Sequence, residues 1–270
     1  MYKKLMPFSV AFMMLMGIAA LSGVLVPTLY QDNLLVKSGW IGNDLVTLFL
    51  VLPVMVLSIS LFRRGSLKGL LGWGGVALYA LYCYAFYLFG AAFNSLFLVY
   101  VAILIAASFG LIRLLTLPEI KKIISTVALP QKTRFLSGLM IFISLSLGAF
   151  WIAMTVQYFW TGNPPALVTV VDHPTNVTGA LDLWMVVSVG LLAGIWLWQQ
   201  KPWGYVVGAI WSIKGGLYMT ALSAAAIAQY INGAVADLFQ LAIWAPIGLL
   251  SFFIAWRLLT ICPGVEAIQP

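Results

Sequence analysis

Charge in this chain is confined to short gaps between long apolar runs, and that arrangement decides what it can fold into. Only 8% of the 270 residues are Asp, Glu, Lys or Arg, against 63% apolar. A soluble domain carries about 25% charged residues. The mean hydropathy is +1.05. A bilayer core takes roughly 20 consecutive apolar residues per helical span, and several runs reach that length. Because lipid satisfies no backbone group, spans are helices or closed barrels. The runs here are continuous rather than alternating, which excludes a barrel.

The expected fold class is therefore an all-α integral membrane protein of about eight transmembrane helices. The runs are approximately Leu5–Val26, Ile41–Phe62, Gly69–Phe89, Ser95–Leu115, Phe135–Gln157, Gly179–Trp198, Gly204–Ala228 and Ala234–Leu258. Helix breakers fill the gaps: Pro27, Arg63-Arg64-Gly65-Ser66, Pro118, Asn163-Pro164-Pro165, Lys201-Pro202 and Asn232-Gly233. The N-terminal run resembles a signal peptide, but it is longer than a cleaved apolar core of about 7–15 residues. It is read as an uncleaved first span.

Basic residues set the orientation. With the N-terminus inside, Lys3, Lys4, Arg63, Arg64, Lys68, Arg113, Lys121, Lys122, Lys132, Arg134, Lys201 and Arg257 all fall on the cytoplasmic side. Lys37 alone falls outside, where Asp32, Asp44, Asp172, Asp182 and Asp237 gather. Positive residues retain loops on the inner side, so both termini are expected to be cytoplasmic. The net charge of +7 is explained by this retention and needs no nucleic-acid partner. The partners implied are the lipid bilayer, a small anionic or polar solute, and a protein partner if the chain is an accessory subunit. Cys83 and Cys262 are too few for a disulfide framework and are expected as free thiols.

The chain divides into residues 1–116, a connector at 117–134, residues 135–260 and a tail at 261–270. In the connector, Ile120, Ile123, Ile124 and Val127 share one helical face, and Pro118 and Glu119 suit a first turn. This predicts a short amphipathic helix on the inner leaflet, with an ordinary linker as the alternative. The connection from Tyr158 to Thr178 is long for its kind and is expected to cap the outer face.

The second half echoes the first. Asp44-Leu45 and Asp182-Leu183 each open an apolar run that ends in a basic turn. Leu70-Leu71-Gly72 and Leu81-Tyr82 match Val206-Val207-Gly208 and Leu217-Tyr218. The final runs end in Leu111-Ile112-Arg113-Leu114-Leu115 and Ala255-Trp256-Arg257-Leu258-Leu259. Two four-span halves that begin on one side form a parallel repeat. Chance matching in an apolar alphabet is the alternative.

Asp182-Leu183, its apolar run, and Gln199-Gln200-Lys201-Pro202-Trp203-Gly204-Tyr205 resemble a helical hairpin of uncharacterised bacterial multi-spanning membrane proteins. The resemblance covers mainly the sixth and seventh spans. In the first half, Arg64-Gly65-Ser66-Leu67 replaces its Pro-Trp-Gly-Tyr element. It implies a bacterial cytoplasmic membrane protein and carries no activity with it.

Lys214 is the residue most in need of explanation. It lies about ten residues into its span, ~15 Å deep at 1.5 Å per residue. A midplane lysine costs at least ~2.5–3.5 kcal/mol and marks a functional site by default. Trp211 and Tyr218 share its face, and Tyr79 and Tyr82 of the third span are expected at similar depth. These five are the candidate ligand-binding residues. No carboxylate is expected at that depth, which disfavours a Schiff-base pigment with a counter-ion. The alternative is a structural lysine held by tyrosines and carbonyls.

Asp44, Asp182 and Asp237 are each expected at the outer start of a helix, where a carboxylate caps free amides. A cation-attracting outer vestibule is the second reading for them. His173 is the only histidine, so bis-histidine haem and multi-histidine metal sites are excluded; no cofactor is implied. Asn176-Val177-Thr178 is formally a glycosylation sequon. Gly190/Gly194 and Gly204/Gly208 permit close helix approach. Trp40, Tyr158, Phe159, Trp160 and Trp203 fit interfacial belts.

No nucleotide loop, nucleophile elbow or zinc motif is present, and no acid–base pair is evident, so an enzyme is disfavoured. Two classes remain. One is a small-solute permease or membrane-embedded binding protein with a midplane site at Lys214. The other is a non-catalytic scaffold or accessory subunit.

Overall fold

The computed structural model describes the backbone of residues 2–261 and the side chains from 6 to 260. The side chains of Lys3 and Lys4, the thiol of Cys262 and the tail lie outside the described residues. The chain is all-helical, with 81% helix and no strand among the described residues.

Helix α1 spans Tyr2–Leu25. The next long helix runs from Leu34 to Arg63 as α2 (Leu34–Val46), a π turn (Thr47–Val51) and α3 (Leu52–Arg63). Then come α4 (Lys68–Phe89), α5 (Phe97–Leu115) and the short α6 (Pro118–Thr126). The second half holds α7 (Thr133–Thr161), a single turn α8 (Ala166–Thr169), and a long helix made of α9 (Val177–Leu181), a second π turn (Asp182–Val187) and α10 (Ser188–Trp198). It closes with α11 (Pro202–Ile231) and α12 (Phe239–Ile261).

Seven of these helices are long and apolar enough to cross a membrane. The eighth long helix, α11, has 30 residues, ~45 Å of rise, but falls short of the others in apolarity. Its position explains why. It packs against α2, α4, α10 and α12, and its Gly204, Tyr205, Trp211, Ser212, Lys214 and Tyr218 face protein. Helix α4 is its partner at the centre: 83% of its apolar stretch is buried, against 22–50% for the other six. The outside of the bundle is apolar, with Phe49, Phe109, Phe142 and Leu249 all more than 60% exposed. Polar side chains lie within: Asn43, Asp44, Thr47, Asp182, Ser212 and Lys214 are buried. This inversion of a soluble protein's distribution is what a lipid solvent demands.

The helix starts differ from the sequence expectation in one informative way. The second span begins at Leu34 rather than Ile41, because Asn33 accepts the Val36 amide at 3.0 Å and caps it there. Asn176 likewise accepts the Gly179 amide at 2.8 Å and caps α9. Asp44 and Asp182 therefore sit inside their helices, and the capping role expected for them belongs to the two asparagines. Asp237 alone behaves as expected, accepting the Phe239 amide at 2.9 Å from an exposed position.

Both π turns lie directly at these carboxylates. The Leu52 amide donates to Thr47 O, and the Ser188 amide to Leu183 O, each five residues back. Pro53, which has no amide to give, lies just past the first turn. A π turn adds a residue and frees a carbonyl; in the second, the Trp211 indole donates to Val186 O at 2.9 Å. Glycines set the helix approaches. A Cβ on Gly69 would lie 2.4 Å from Ser58 O, and one on Gly204 2.3 Å from the Leu197 amide. Each hairpin is thus closed backbone to backbone at its basic turn.

The connector does form a helix, but its apolar face meets protein. Ile120 and Ile123 are fully buried and α6 packs against α11. The long connection touches the first half: Asn33 Nδ2 donates to Val170 O at 2.9 Å, and the His173 ring stands edge-on to Phe86. Burial lowers the His173 pKa, with Asp32 and Asp172 opposing it.

A Cβ on Gly42 would come within 2.5 Å of the Ala225 amide on α11. Gly42→Ala should therefore lower stability in detergent by about 1–3 kcal/mol through overpacking. Gly138→Ala, where nothing lies within 4 Å, should leave thermal unfolding unchanged.

Candidate functional site

Two buried carboxylates organise the interior, and the five residues expected around Lys214 divide between them. Lys214 lies ~18 Å along α11 from Pro202 and is 2% exposed. Its ammonium faces the rings of Tyr82, 3.8 Å from the centroid, and Tyr218, 4.5 Å away. Those rings are themselves 4.5 Å apart. The two tyrosines come from α4 and α11, so the lysine is held where those two helices meet. A cation on ring faces is worth ~2 kcal/mol or more when desolvated.

A carboxylate joins this group, contrary to the expectation that none reaches that depth. Tyr82 Oη donates to Asp182 Oδ1 at 2.7 Å and Trp151 Nε1 donates to Asp182 Oδ2 at 2.9 Å. Asp182 and Lys214 act on one another electrostatically. Counting residues along helices places Cα atoms only; a lysine and a tyrosine each reach several ångströms further. The resulting cluster of Lys214, Tyr82, Tyr218, Asp182 and Trp151 draws on α4, α7, the second π turn and α11.

Trp211 is buried beside this cluster, but its indole serves the freed Val186 carbonyl, and Gly190 leaves room for its ring. Tyr79 belongs to the other carboxylate's network. Its hydroxyl donates to Asn43 Oδ1 at 3.0 Å and shares a 3.0 Å bond with Thr47 Oγ1. Asn43 Nδ2 donates to Tyr87 Oη at 3.0 Å, and Tyr87 Oη donates to Asp44 Oδ1 at 2.8 Å. Tyr30 Oη donates to Asp44 Oδ2 at 2.5 Å. Tyr30 lies between the spans; burial first, then the Asp44 carboxylate, push its hydroxyl well above the usual phenol range. The free thiol of Cys83, 3% exposed, lies 3.9 Å from Asn43 Oδ1. It also feels Lys214, so it stands between the two clusters.

The three aspartates do not share one surface. Asp44 is 3% and Asp182 8% exposed, while Asp237 lies at the surface. Asn43, Tyr87, Trp151 and Tyr30 were not distinguished in the sequence. The adjacency of Asn43 to Asp44 was the one available signal; Trp151 was hidden among 11 tryptophans. No group of three or more metal-ligating side chains occurs among the described residues.

Removing one partner of a buried charge pair leaves the other uncompensated, a cost of roughly 3–5 kcal/mol. Lys214→Met and Asp182→Asn should each destabilise strongly, and the double variant should cost less than the sum of the two. A double-mutant cycle on thermal unfolding in detergent checks this; strict additivity would disprove electrostatic coupling. No family model, curated protein or solved structure matches the chain.

Proposed function

We propose that this protein is a polytopic small-solute permease or membrane-embedded binding protein of the bacterial cytoplasmic membrane, with its central site at Lys214. The single observation that carries the reading is a buried lysine and a buried aspartate that meet on Tyr82, with Tyr218 and Trp151 beside them, where α4 and α11 pack together. A buried charge pair adds little net stability compared with an apolar core, and intramembrane charges mark solute pathways and proton relays. An ammonium held on two tyrosine ring faces suits an anionic or polar solute, whose acid group would supply the lysine's counter-charge.

We further propose eight spans with both termini cytoplasmic, arranged as two parallel four-helix repeats. Three recurrences support the repeat. A π turn lies just past Asp44 in one half and begins at Asp182 in the other. Gly69 and Gly204 close equivalent hairpins. Helices α4 and α11, third in each half, pack together at the centre. Transporter sites commonly lie where such repeats meet. The resemblance of the Asp182–Tyr205 segment to bacterial membrane-protein hairpins supports the location.

The scaffold reading rests on a different observation. Lys214, Tyr79, Tyr82, Trp211 and Tyr218 are at most 6% exposed, the packing of a closed core. In a permease this is the occluded state; in a scaffold it is the only state.

Solid-supported-membrane recordings on proteoliposomes, pulsed with a panel of small carboxylates, phosphates and neutral polar solutes, separate the two. The permease reading expects a transient current for at least one solute class, at least tenfold smaller in Lys214→Ala and partly restored in Lys214→Arg. No response across the panel, with a stoichiometric protein partner co-purifying, would replace it with the scaffold.

A further inference from the structure

Asp44 lacks what Asp182 possesses. Among the described residues no Lys, Arg or His acts on its carboxylate; the influences on it are burial and the hydroxyls of Tyr30 and Tyr87. The groups that face it can be taken element by element. Helix α2 supplies Asn43, and α4 supplies Tyr87, with Tyr84 and Cys83 in electrostatic range. Helix α5 supplies Tyr100, and the connection after α1 supplies Tyr30. Helix α1 contributes only the bare backbone of Gly23, and α11 meets this stretch through the backbone of Ala224 and Ala225 at Gly42. All of these are neutral hydroxyl, amide, thiol or backbone groups.

A carboxylate so enclosed has two ways to be neutralised: a bound metal cation or a proton. The space around it argues against a metal ion. An ideal Cβ on Gly23 would lie 1.8 Å from Asp44 Oδ2 and 2.4 Å from Tyr30 Oη. The carboxylate is therefore pressed onto the α1 backbone at a notch that only glycine provides, with no gap for an ion beside Oδ2. The other side is closed by Tyr30 at 2.5 Å and Tyr87 at 2.8 Å. A proton needs no such space.

The surrounding hydroxyls also offer a route for it. The Tyr87 ring neighbours those of both Tyr30 and Tyr100, with centroids 6.1 Å and 5.1 Å away. Tyr100 is 2% exposed, and the side chains of Tyr30 and Asn94 lie close enough to act on its hydroxyl. Its oxygen can accept from Tyr30 when the Tyr30 hydroxyl turns toward it. It lies under the influence of both Asp44 and the half-buried Asp32, which holds the Ala92 amide at 2.9 Å at the end of the bundle.

We infer that Asp44 is a proton-binding site, holding a proton at neutral pH and exchanging it with the Asp32 end of the bundle through Tyr30 and Tyr100. On protonation, Oδ2 becomes the donor to Tyr30 Oη, the Tyr30 hydrogen turns to Tyr100, and Oδ1 continues to accept from Tyr87. The proton comes from solvent, and every tyrosine stays neutral throughout. The site is separate from Lys214 and holds whether or not a solute binds there.

Infrared spectroscopy of the protein in nanodiscs tests this without any solute. The wild type should show a protonated-carboxyl C=O stretching band at neutral pH that is lost in alkali. Asp44→Asn should abolish that band and Asp182→Asn should retain it. Gly23→Ala, which drives a methyl into Oδ2 with Asp44 still present, should shift or remove it, and so decides the matter if Asp44→Asn fails to fold. A wild type without the band, or a band unchanged in Asp44→Asn or in Gly23→Ala, overturns the proposal. Because no solute enters, failure here leaves the Lys214 reading standing, and failure of transport leaves this one.

Discussion

Polar groups turned away from lipid have no water to fall back on, so each must be satisfied by another group of the same chain. The carboxylates of the interior obey that constraint, while the buried hydroxyls of Ser144 and Ser212 make no hydrogen bond. Asp182 takes two donors and stands within reach of a lysine; Asp44 takes two tyrosines; the carbonyl freed by a π turn takes an indole. These bonds join helices distant in sequence. Tyr82 to Asp182 spans 100 residues, and tertiary order is written in such pairs more than in apolar contacts, which lipid tails supply equally well.

Glycine makes those pairs reachable. Where Gly42 meets α11, and where Gly69 and Gly204 meet the preceding helices, backbones touch, which brings short side chains such as Asn43 and Thr47 within range of α4. The π turns then re-aim α3 and α10. An added residue rotates the helix by about 100° relative to an unbroken one. In each long helix the carboxylate and the segment beyond it can therefore both face protein, although strict α-helical spacing would not align them.

Most of this architecture was legible in the sequence. The apolar runs located the long helices, because lipid length and breaker residues are both written locally. Depth was less legible. The Asp44 helix was expected at Ile41, where the apolar run begins; the cap at Asn33 extends it by two turns and turns Asp44 from a terminal residue into an interior one. Lys214 was found from its charge alone, but its carboxylate was missed because side-chain reach and helix offset are not recorded in spacing. Tyr79 and Trp211, expected around Lys214, make their hydrogen bonds to Asn43 and to the Val186 carbonyl. Aromatic residues with a polar tip choose partners by tertiary geometry, and 22 tyrosines and tryptophans offer too many combinations to sort from one chain.

The composition of α11 has a consequence for how the protein is made. A segment carrying Lys214, three tyrosines and several glycines partitions poorly into lipid by itself, since a central lysine alone opposes insertion by roughly 2.5–3.5 kcal/mol. It becomes acceptable only once α2, α4, α10 and α12 surround it. If α11 crosses the membrane, it is expected to settle late, once neighbours that enter lipid more readily are in place. The helix at the centre of the finished bundle would be among the last to settle.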